Sequence, residues 1–261
     1  MKKKIVALAL AASCMLGVVG CSSEKKNADT ASNNVASSEA TDTYVVTYLD
    51  QDGQVLATEN VEAGQVAPDV NPSKDGYEFM GYYVNPECGR EIDMTAPVVG
   101  DKKIYCGFTK AQKDERKFYI VGSGKSEILT KSNWGETFDD TFALTKDESS
   151  EKNVYTITVE LSAGDEFQFV ADVNWADQRG FGYLKDNKLD GEVYFKKAAG
   201  LGDAPVEKSN ILVEKSGKYQ FTLTTYPASD VYDTENEYYE EAKKENFNSN
   251  PFDTIEWTYI Q

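Results

Sequence analysis

Hydrophobic and polar residues alternate over short stretches of the last 144 residues of the chain. The clearest stretches are NVYTITVEL, at residues 153–161, and KYQFTLTTY, at residues 218–226. A period of two predicts β-strands with one buried face. Similar stretches occupy residues 117–123, 165–173, 192–197, 210–215 and 253–261, and turn signals separate most of them. The pattern predicts an antiparallel β-sandwich over residues 118–261.

A second, smaller unit is predicted at residues 44–110. YVVTYLD and QVLATENV flank the turn signal Asp50-Gln51-Asp52-Gly53, which indicates a hairpin. GYEFMGYYV and IYCGFTK add further strands. Residues 111–117, AQKDERK, form a charged connector to the sandwich. The predicted fold class is therefore mainly all-β, with a small module followed by a sandwich.

The first 20 residues have the pattern of a signal peptide. Three lysines precede an apolar run that is too short to cross a bilayer comfortably. The run ends in Val18-Val19-Gly20-Cys21, which resembles a bacterial lipobox and implies lipidation of Cys21. The alternative is an ordinary secretory signal. Residues 21–43 are too poor in apolar side chains to fold and predict a flexible linker. We expect a protein anchored by lipid on the extracellular face of the cell membrane.

Composition excludes several classes of function. The formal net charge of −17 argues against nucleic acid as a partner. Histidine is absent, so no His-based triad or His metal site is available. No P-loop or dinucleotide-binding turn occurs. We expect a protein without enzymatic activity, cofactor or metal.

Two cysteines, Cys88 and Cys106, lie in the folded part of the chain. An even pair in an extracellular protein is typical of a disulfide. The alternative is two free buried thiols.

Candidate binding residues concentrate after the strand that begins at Phe167. Aromatic rings offer a flat surface to the C–H face of a sugar, and amide, guanidinium and ammonium groups can bind its hydroxyls. Trp134 lies in another polar, turn-rich stretch. Each tryptophan could instead be a core residue, and Trp257 is expected to be one. The candidates for a sugar site are Trp175, Trp134, Gln178, Arg179, Tyr183 and Lys185.

An acidic, tyrosine-rich insert of about 20 residues, at positions 232–251, lies between the last two predicted strands. A short helix is expected around residues 235–244. Three interpretations remain open: a lid that carries Tyr238 and Tyr239, a calcium site, and a solvated charged helix. The calcium ligands would be Asp230, Asp233 and Glu235.

Two resemblances add to these predictions. The order VTYLDQDG, GQVAP, PSKDGYEFMGYY, NPEC and IYCGF resembles the Listeria–Bacteroides repeat, a β-grasp-like module that mostly serves as a spacer or adhesive element. Tyr82 stands where tryptophan is usual. The order FYIVGS, NWG, VYTITVELSAGDEFQFV, NWADQRGFGY and SNILVEKSGKYQFTLTT resembles starch-binding modules of surface starch-capture lipoproteins and amylases.

The second resemblance implies capture of starch or a related α-glucan on an aromatic platform, with Trp175 and Trp134 as its rings. It also suggests secreted amylases or transporter binding proteins as partners. The alternative function is that of a surface adhesin or structural protein, which would bind another protein through the repeat module. The two functions differ in whether Trp175 and Trp134 are exposed and close together.

Overall fold

The structure is a computed structural model that describes residues 42–199 and 208–260. The predicted signal peptide, Cys21 and nearly all of the predicted linker lie outside these residues. Two sets of β-sheets follow each other along the chain, so the prediction of a mainly all-β fold is confirmed.

The first module is one four-stranded sheet. Its strands are β1 (Thr43–Leu49), β2 (Val55–Glu62), β3 (Glu78–Tyr83) and β4 (Lys102–Thr109). Their order in the sheet is β2-β1-β4-β3. Strands β1 and β4 are parallel, and the other two pairs are antiparallel. Val46, Tyr48 and Ile104 are completely buried and form the centre of its core.

The second module is a sandwich of two main sheets. Its strands are β5 (Phe118–Ser123), β6 (Thr145–Lys146), β7 (Asn153–Leu161), β8 (Glu166–Ala171), β9 (Asn174–Arg179), β10 (Lys188–Leu189), β11 (Glu192–Val193), β12 (Phe195–Lys197), β13 (Ile211–Val213), β14 (Gly217–Thr225) and β15 (Thr254–Ile260). One main sheet has the order β12-β13-β8-β5, with β9 also paired to β8, and the other has the order β15-β14-β7-β6. Strands β10 and β11 form a separate two-stranded sheet.

Alternation along the strands builds the sandwich core. Tyr155, Ile157, Val159 and Leu161 of β7 are buried, whereas Thr158 and Glu160 between them are exposed. This is the period-two pattern that predicted the strand. The sandwich also contains the α-helix α1 (Glu127–Ser132) and 3-10 segments at Asn133–Gly135, Asp140–Phe142, Phe181–Tyr183, Pro227–Ser229 and Glu241–Phe247.

Phe252 of the sandwich packs onto the first module. Its ring centroid lies 5.7 Å from that of Tyr83, and both side chains are buried. A Cβ atom on Gly107 would lie 2.6 Å from the Tyr83 ring and 3.0 Å from the Phe252 ring, so only glycine fits between them. The described residues, 42–199 and 208–260, accordingly form one compact unit.

The predicted disulfide is not formed, and both thiols are free and buried. Cys106 belongs to the core of the first sheet, whereas Cys88 packs with Tyr83 and Phe252 at the contact between the modules. The two side chains thus fill different cores, which corresponds to the alternative of two free thiols. Burial raises the pKa of Cys88 to about 12 and that of Cys106 to about 11.

Within the described residues, no helix is long and apolar enough to span a bilayer.

Candidate functional site

The structure brings Trp134 and Trp175 together at one end of the sandwich. Their ring centroids are 6.0 Å apart and the ring planes are inclined by 53°. Both side chains are half-buried, so part of each ring faces solvent. Two loops that are distant in sequence therefore meet to form one aromatic surface.

Trp134 occupies an unusual backbone conformation. The helix α1 ends with Asn133 at φ 38°, and the next two residues, Trp134 and Gly135, have φ values of 54° and 79°. A left-handed conformation is costly for a residue as bulky as tryptophan. Gly135 is also required for space, because a Cβ there would lie 2.7 Å from the Phe138 ring and 3.2 Å from the Trp175 ring.

Trp175 is placed by a bulged hairpin. Asp172 and Val173, with φ 48° and 57°, form the two-residue turn between β8 and β9. The pairing then jumps from Ala171↔Asn174 to Val170↔Gln178, so the residues between Asn174 and Gln178 bulge out of the ladder. Bulges redirect side chains and are common beside binding sites. The strained turn and the bulge together direct Trp175 towards Trp134.

Two aromatic residues that the sequence analysis missed extend this surface. Phe138 contacts Tyr119 edge to face, with ring centroids 5.4 Å apart. Tyr119 lies between the buried residues Phe118 and Ile120 on β5, so the alternation of that strand could have identified it as outward-facing. The ammonium group of Lys117 lies 5.4 Å from the Tyr119 ring. We call Trp134, Trp175, Phe138 and Tyr119 the aromatic platform.

Exposed amide side chains flank the platform. Each tryptophan follows an asparagine, Asn133 or Asn174, and both asparagines are exposed. The Oδ1 atom of Asn174 accepts a hydrogen bond from the Ala176 amide at 3.0 Å, which fixes the side chain and leaves its NH₂ group without a partner among the described residues. These amides can donate to and accept from a hydroxyl-bearing ligand.

Two residues predicted to bind hydroxyls, Gln178 and Arg179, and the predicted stacking residue Tyr183 are instead part of the interior. Gln178 and Arg179 have no exposed surface, and Tyr183 is 5% exposed. Gln178 donates to the Trp175 carbonyl, so it supports the bulge from below. The Tyr183 hydroxyl donates to the Ser249 carbonyl at 3.0 Å. They are wrong as direct ligand contacts, because Gln178 and Arg179 point inward after the bulge of β9 and Tyr183 is buried in the 3-10 segment that follows.

Lys185 is exposed but lies elsewhere. Its ammonium group pairs with Glu91 of the first module at 3.2 Å. It borders the cleft at the contact between the modules, which is also lined by Tyr183 and Phe252. No described contact joins Lys185 to the aromatic platform. Trp257, whose indole donates to the Asp186 carbonyl at 2.7 Å, packs on the sandwich core as expected.

A buried ionic cluster underlies the platform hairpin. Arg179 donates to Asp253 at 2.7 Å and to Asp177, and Arg116 donates to Asp177 at 2.9 Å and to Asp114 at 2.6 Å. Burial disfavours the charged carboxylate, but Arg179 and Arg116 outweigh it and hold the pKa of Asp177 at about 2. The cluster joins the connector, β9 and the start of β15.

Lys208 is a second buried cation near the same hairpin. It has no exposed surface, and its ammonium group donates to the Ala176 carbonyl at 3.3 Å and to the Glu245 carbonyl. Burial, followed by the charge of Arg179, lowers the pKa of Lys208 to about 7. Lys208 therefore links the bulge of β9 to the insert.

The insert packs against the sandwich at its C-terminal end, residues 246–250, but most of residues 233–243 are exposed, as the interpretation of a solvated charged helix expects. Its helical part is the 3-10 segment Glu241–Phe247, which begins later than the predicted helix. Phe247, Asn248 and Asn250 are buried.

The predicted calcium ligands do not form a metal site. Asp230 accepts a hydrogen bond from Asn250 at 2.7 Å. The described residues contain no group of three or more acidic or cysteine side chains that could hold a metal ion. The structure does not support the calcium interpretation. Tyr238 and Tyr239 lie in the insert, where Tyr238 is 61% exposed.

Comparison with known families identifies the first module. Residues 44–106 match the Listeria-Bacteroides repeat domain, so this part of the resemblance is confirmed. A comparison with curated proteins found no match. The repeat domain and the aromatic platform are compatible with a bacterial surface protein that binds a ligand.

Proposed function

We propose that the protein is a non-catalytic carbohydrate-binding protein of the cell surface, which captures starch or a related α-glucan on the aromatic platform. The observation that carries this proposal is the half-buried pair of Trp134 and Trp175, 6.0 Å apart. Holding two large rings beside each other requires strained backbone conformations, and their conformational energy is not needed merely to fill a core. A stacking surface for sugar rings gives a physical reason for them.

The inclination of the rings favours a curved glycan. Two rings whose planes are inclined by 53° cannot both stack on the sugars of a straight, ribbon-like polysaccharide. Successive sugars of a helical α-glucan are inclined to each other, so two of them could each stack on one tryptophan. Asn133 and Asn174 would then bind hydroxyls at the rim of the platform.

The expected affinity of one site is low. Stacking that removes about 100 Å² of apolar sugar surface on each ring would give roughly 5 kcal/mol before losses. Ordering of the oligosaccharide offsets much of this. Dissociation constants from tens of micromolar to millimolar are therefore expected, and several anchored copies on one polymer would raise the effective affinity.

The proposal includes an anchor and a spacer. Lipidation of Cys21 would hold the protein on the extracellular face of the membrane, and the repeat module would separate the platform from the lipid. A Cys21→Ala variant should appear in the medium or remain unprocessed. Unchanged partitioning of this variant into detergent would contradict the anchor.

A binding experiment on the full chain tests the platform. Isothermal titration calorimetry with maltoheptaose should show that the wild type binds. Trp175→Ala and Trp134→Ala should each weaken this binding by about tenfold or more, because each variant loses a stacked ring. Trp257→Phe is the matched control, because this tryptophan lies on the sandwich core away from the platform. Circular dichroism must show that all three variants are folded.

Two results would contradict the proposal. One is a folded Trp175→Ala variant with full affinity. The other is a wild-type chain that binds none of maltoheptaose, glycogen and xylan. In the second case the adhesin function, which the match of residues 44–106 to the repeat domain favours, would take its place.

A further inference from the structure

Strand β7 is paired with a neighbouring strand along the whole of one edge but only along part of the other edge. Strand β14 pairs with its whole length, from Asn153 to Leu161. On the opposite edge, β6 pairs only with Tyr155 and Thr156. Among the described residues, no strand pairs with this edge from Ile157 to Leu161. The structure therefore leaves about half of a sheet edge open.

The edge is open because the chain crosses between the two sheets at this point. Ala143 forms a bridge with Tyr119 of β5, and the Leu144 amide donates to the Phe118 carbonyl at 2.8 Å. The next two residues, Thr145 and Lys146, pair with β7. The segment that could have covered the rest of β7 is thus committed to the other sheet.

The alternation of backbone groups identifies what the edge offers. The Val154 carbonyl accepts a hydrogen bond from the Asp147 amide at 2.8 Å, so Val154 faces this edge. Every second residue of a strand directs its N–H and C=O to the same edge, and Thr158 and Glu160 therefore face it as well. Both residues are exposed. Two amide donors and two carbonyl acceptors are available to an added strand.

A groove runs along the open edge. Its volume is about 970 Å³, and Ile128 of α1 and Phe142 form part of its wall opposite β7. Three lysines and two glutamates also line it: Lys125, Lys131, Lys218, Glu127 and Glu160. Glu127 pairs with Lys131, whereas Lys125 and Lys218 form no ion pair among the described residues. The lining thus carries one more positive than negative charge, on a chain whose net charge is −17, although Lys218 lies opposite Glu160 in the β14–β7 ladder.

We propose that the open edge of β7 binds an extended, acidic peptide segment of a partner protein as an additional strand. Main-chain hydrogen bonds to Thr158 and Glu160 would hold the segment. Its carboxylates would face Lys125 and Lys218, and its apolar side chains would contact Ile128 and Phe142. This site is separate from the aromatic platform and does not depend on the glycan proposal.

Amide hydrogen exchange on the full chain tests the site. The probe is a capped octapeptide of alternating glutamate and valine, and its control is the same peptide with lysine in place of glutamate. At millimolar concentration, the acidic peptide should slow exchange at Thr158 and Glu160 by at least tenfold. The basic peptide should bind at least tenfold more weakly, and added salt should weaken the acidic one.

Two protein variants separate the backbone from the side chain. Thr158→Pro removes the amide donor at the open edge and should abolish binding, whereas Thr158→Val keeps the donor and should bind normally. If Thr158→Pro does not fold, the double variant Lys125→Ala/Lys218→Ala, at two exposed positions, should weaken binding at least threefold.

Four results would overturn the proposal. The acidic peptide could leave exchange on β7 unchanged, or bind a folded Thr158→Pro variant as well as the wild type. Protection of Thr158 and Glu160 by maltoheptaose instead of the peptide would assign the groove to a glycan. Protection by self-association, seen as dimers in sedimentation, would assign it to a second copy of the chain.

Discussion

Arg179 donates a hydrogen bond to Asp253 at 2.7 Å, and neither side chain has any exposed surface. Arg179 belongs to β9, the second strand of the β8–β9 hairpin that carries Trp175, and Asp253 directly follows Phe252 at the contact between the modules. The pair therefore connects this hairpin to that contact. The platform and the first module are therefore supported by adjacent residues of one short segment.

Replacement of Arg179 should destabilise the fold. Arg179→Met leaves Asp253 buried without its cation, and removal of one partner of a buried pair typically costs about 3–5 kcal/mol. Lys185→Met is the matched control, because the pair of Lys185 with Glu91 is exposed and should contribute less than about 1 kcal/mol. Urea unfolding of both variants measures the difference. Equal stability of the two variants would contradict a structural role for Arg179.

Lys208 should make stability depend on alkaline pH. Its pKa is about 7 in the fold and about 10.4 in an unfolded chain. Between these values the unfolded state binds more protons, so stability should rise with pH from about 7 to 10. Below pH 7 both states are protonated, and this contribution to the slope disappears.

A Lys208→Met variant tests this dependence. The difference in unfolding free energy between wild type and variant should shift in favour of the wild type by on the order of a few kcal/mol between pH 7 and pH 10. Urea unfolding at several pH values gives the difference. A difference that is constant across this range would show that Lys208 does not lose its proton in the fold.

The two buried cysteines should behave as unreactive thiols. A chain with Cys14→Ser and Cys21→Ser should give two titratable thiols after denaturation without a reductant. The folded chain should react slowly, because burial raises the pKa of Cys88 and Cys106 to about 12 and 11. Reductant should leave the melting temperature unchanged. If the denatured, unreduced chain instead shows no titratable thiol, Cys88 and Cys106 form a disulfide.

Phe252 should hold the two modules together. Phe252→Ala removes a buried ring that packs on Tyr83, and such a change typically costs about 3–5 kcal/mol. The loss should separate one unfolding transition into two, because the modules have separate cores. Calorimetry follows the transitions. Phe138→Ala, at a half-buried platform residue, is the control and should keep a single transition.

The sequence by itself determined most of the strands, but β6, β9 and β10 were not predicted. Alternation along β7 and β14 marked their positions, because a strand with one buried face needs an apolar residue at every second position. The repeat motifs identified the first module, and the polar setting of Trp134 and Trp175 identified them as candidates for a common surface. These features are local, so they can be derived without knowledge of the rest of the fold.

The tertiary structure decided what the other residues of the platform loop do. Polar side chains such as Gln178 and Arg179 are expected in solvent when only their neighbours in sequence are known. Arg179 can be buried because Asp253, 74 positions away along the chain, supplies its counter-charge. Asn248 and Asn250 of the insert are buried for a similar reason, since Asp230 is brought to Asn250. Similarly, β7 has an open edge only because the chain crosses to β5 at Leu144. Each outcome depends on contacts between distant segments, and the alternation of residues along one strand carries no information about them.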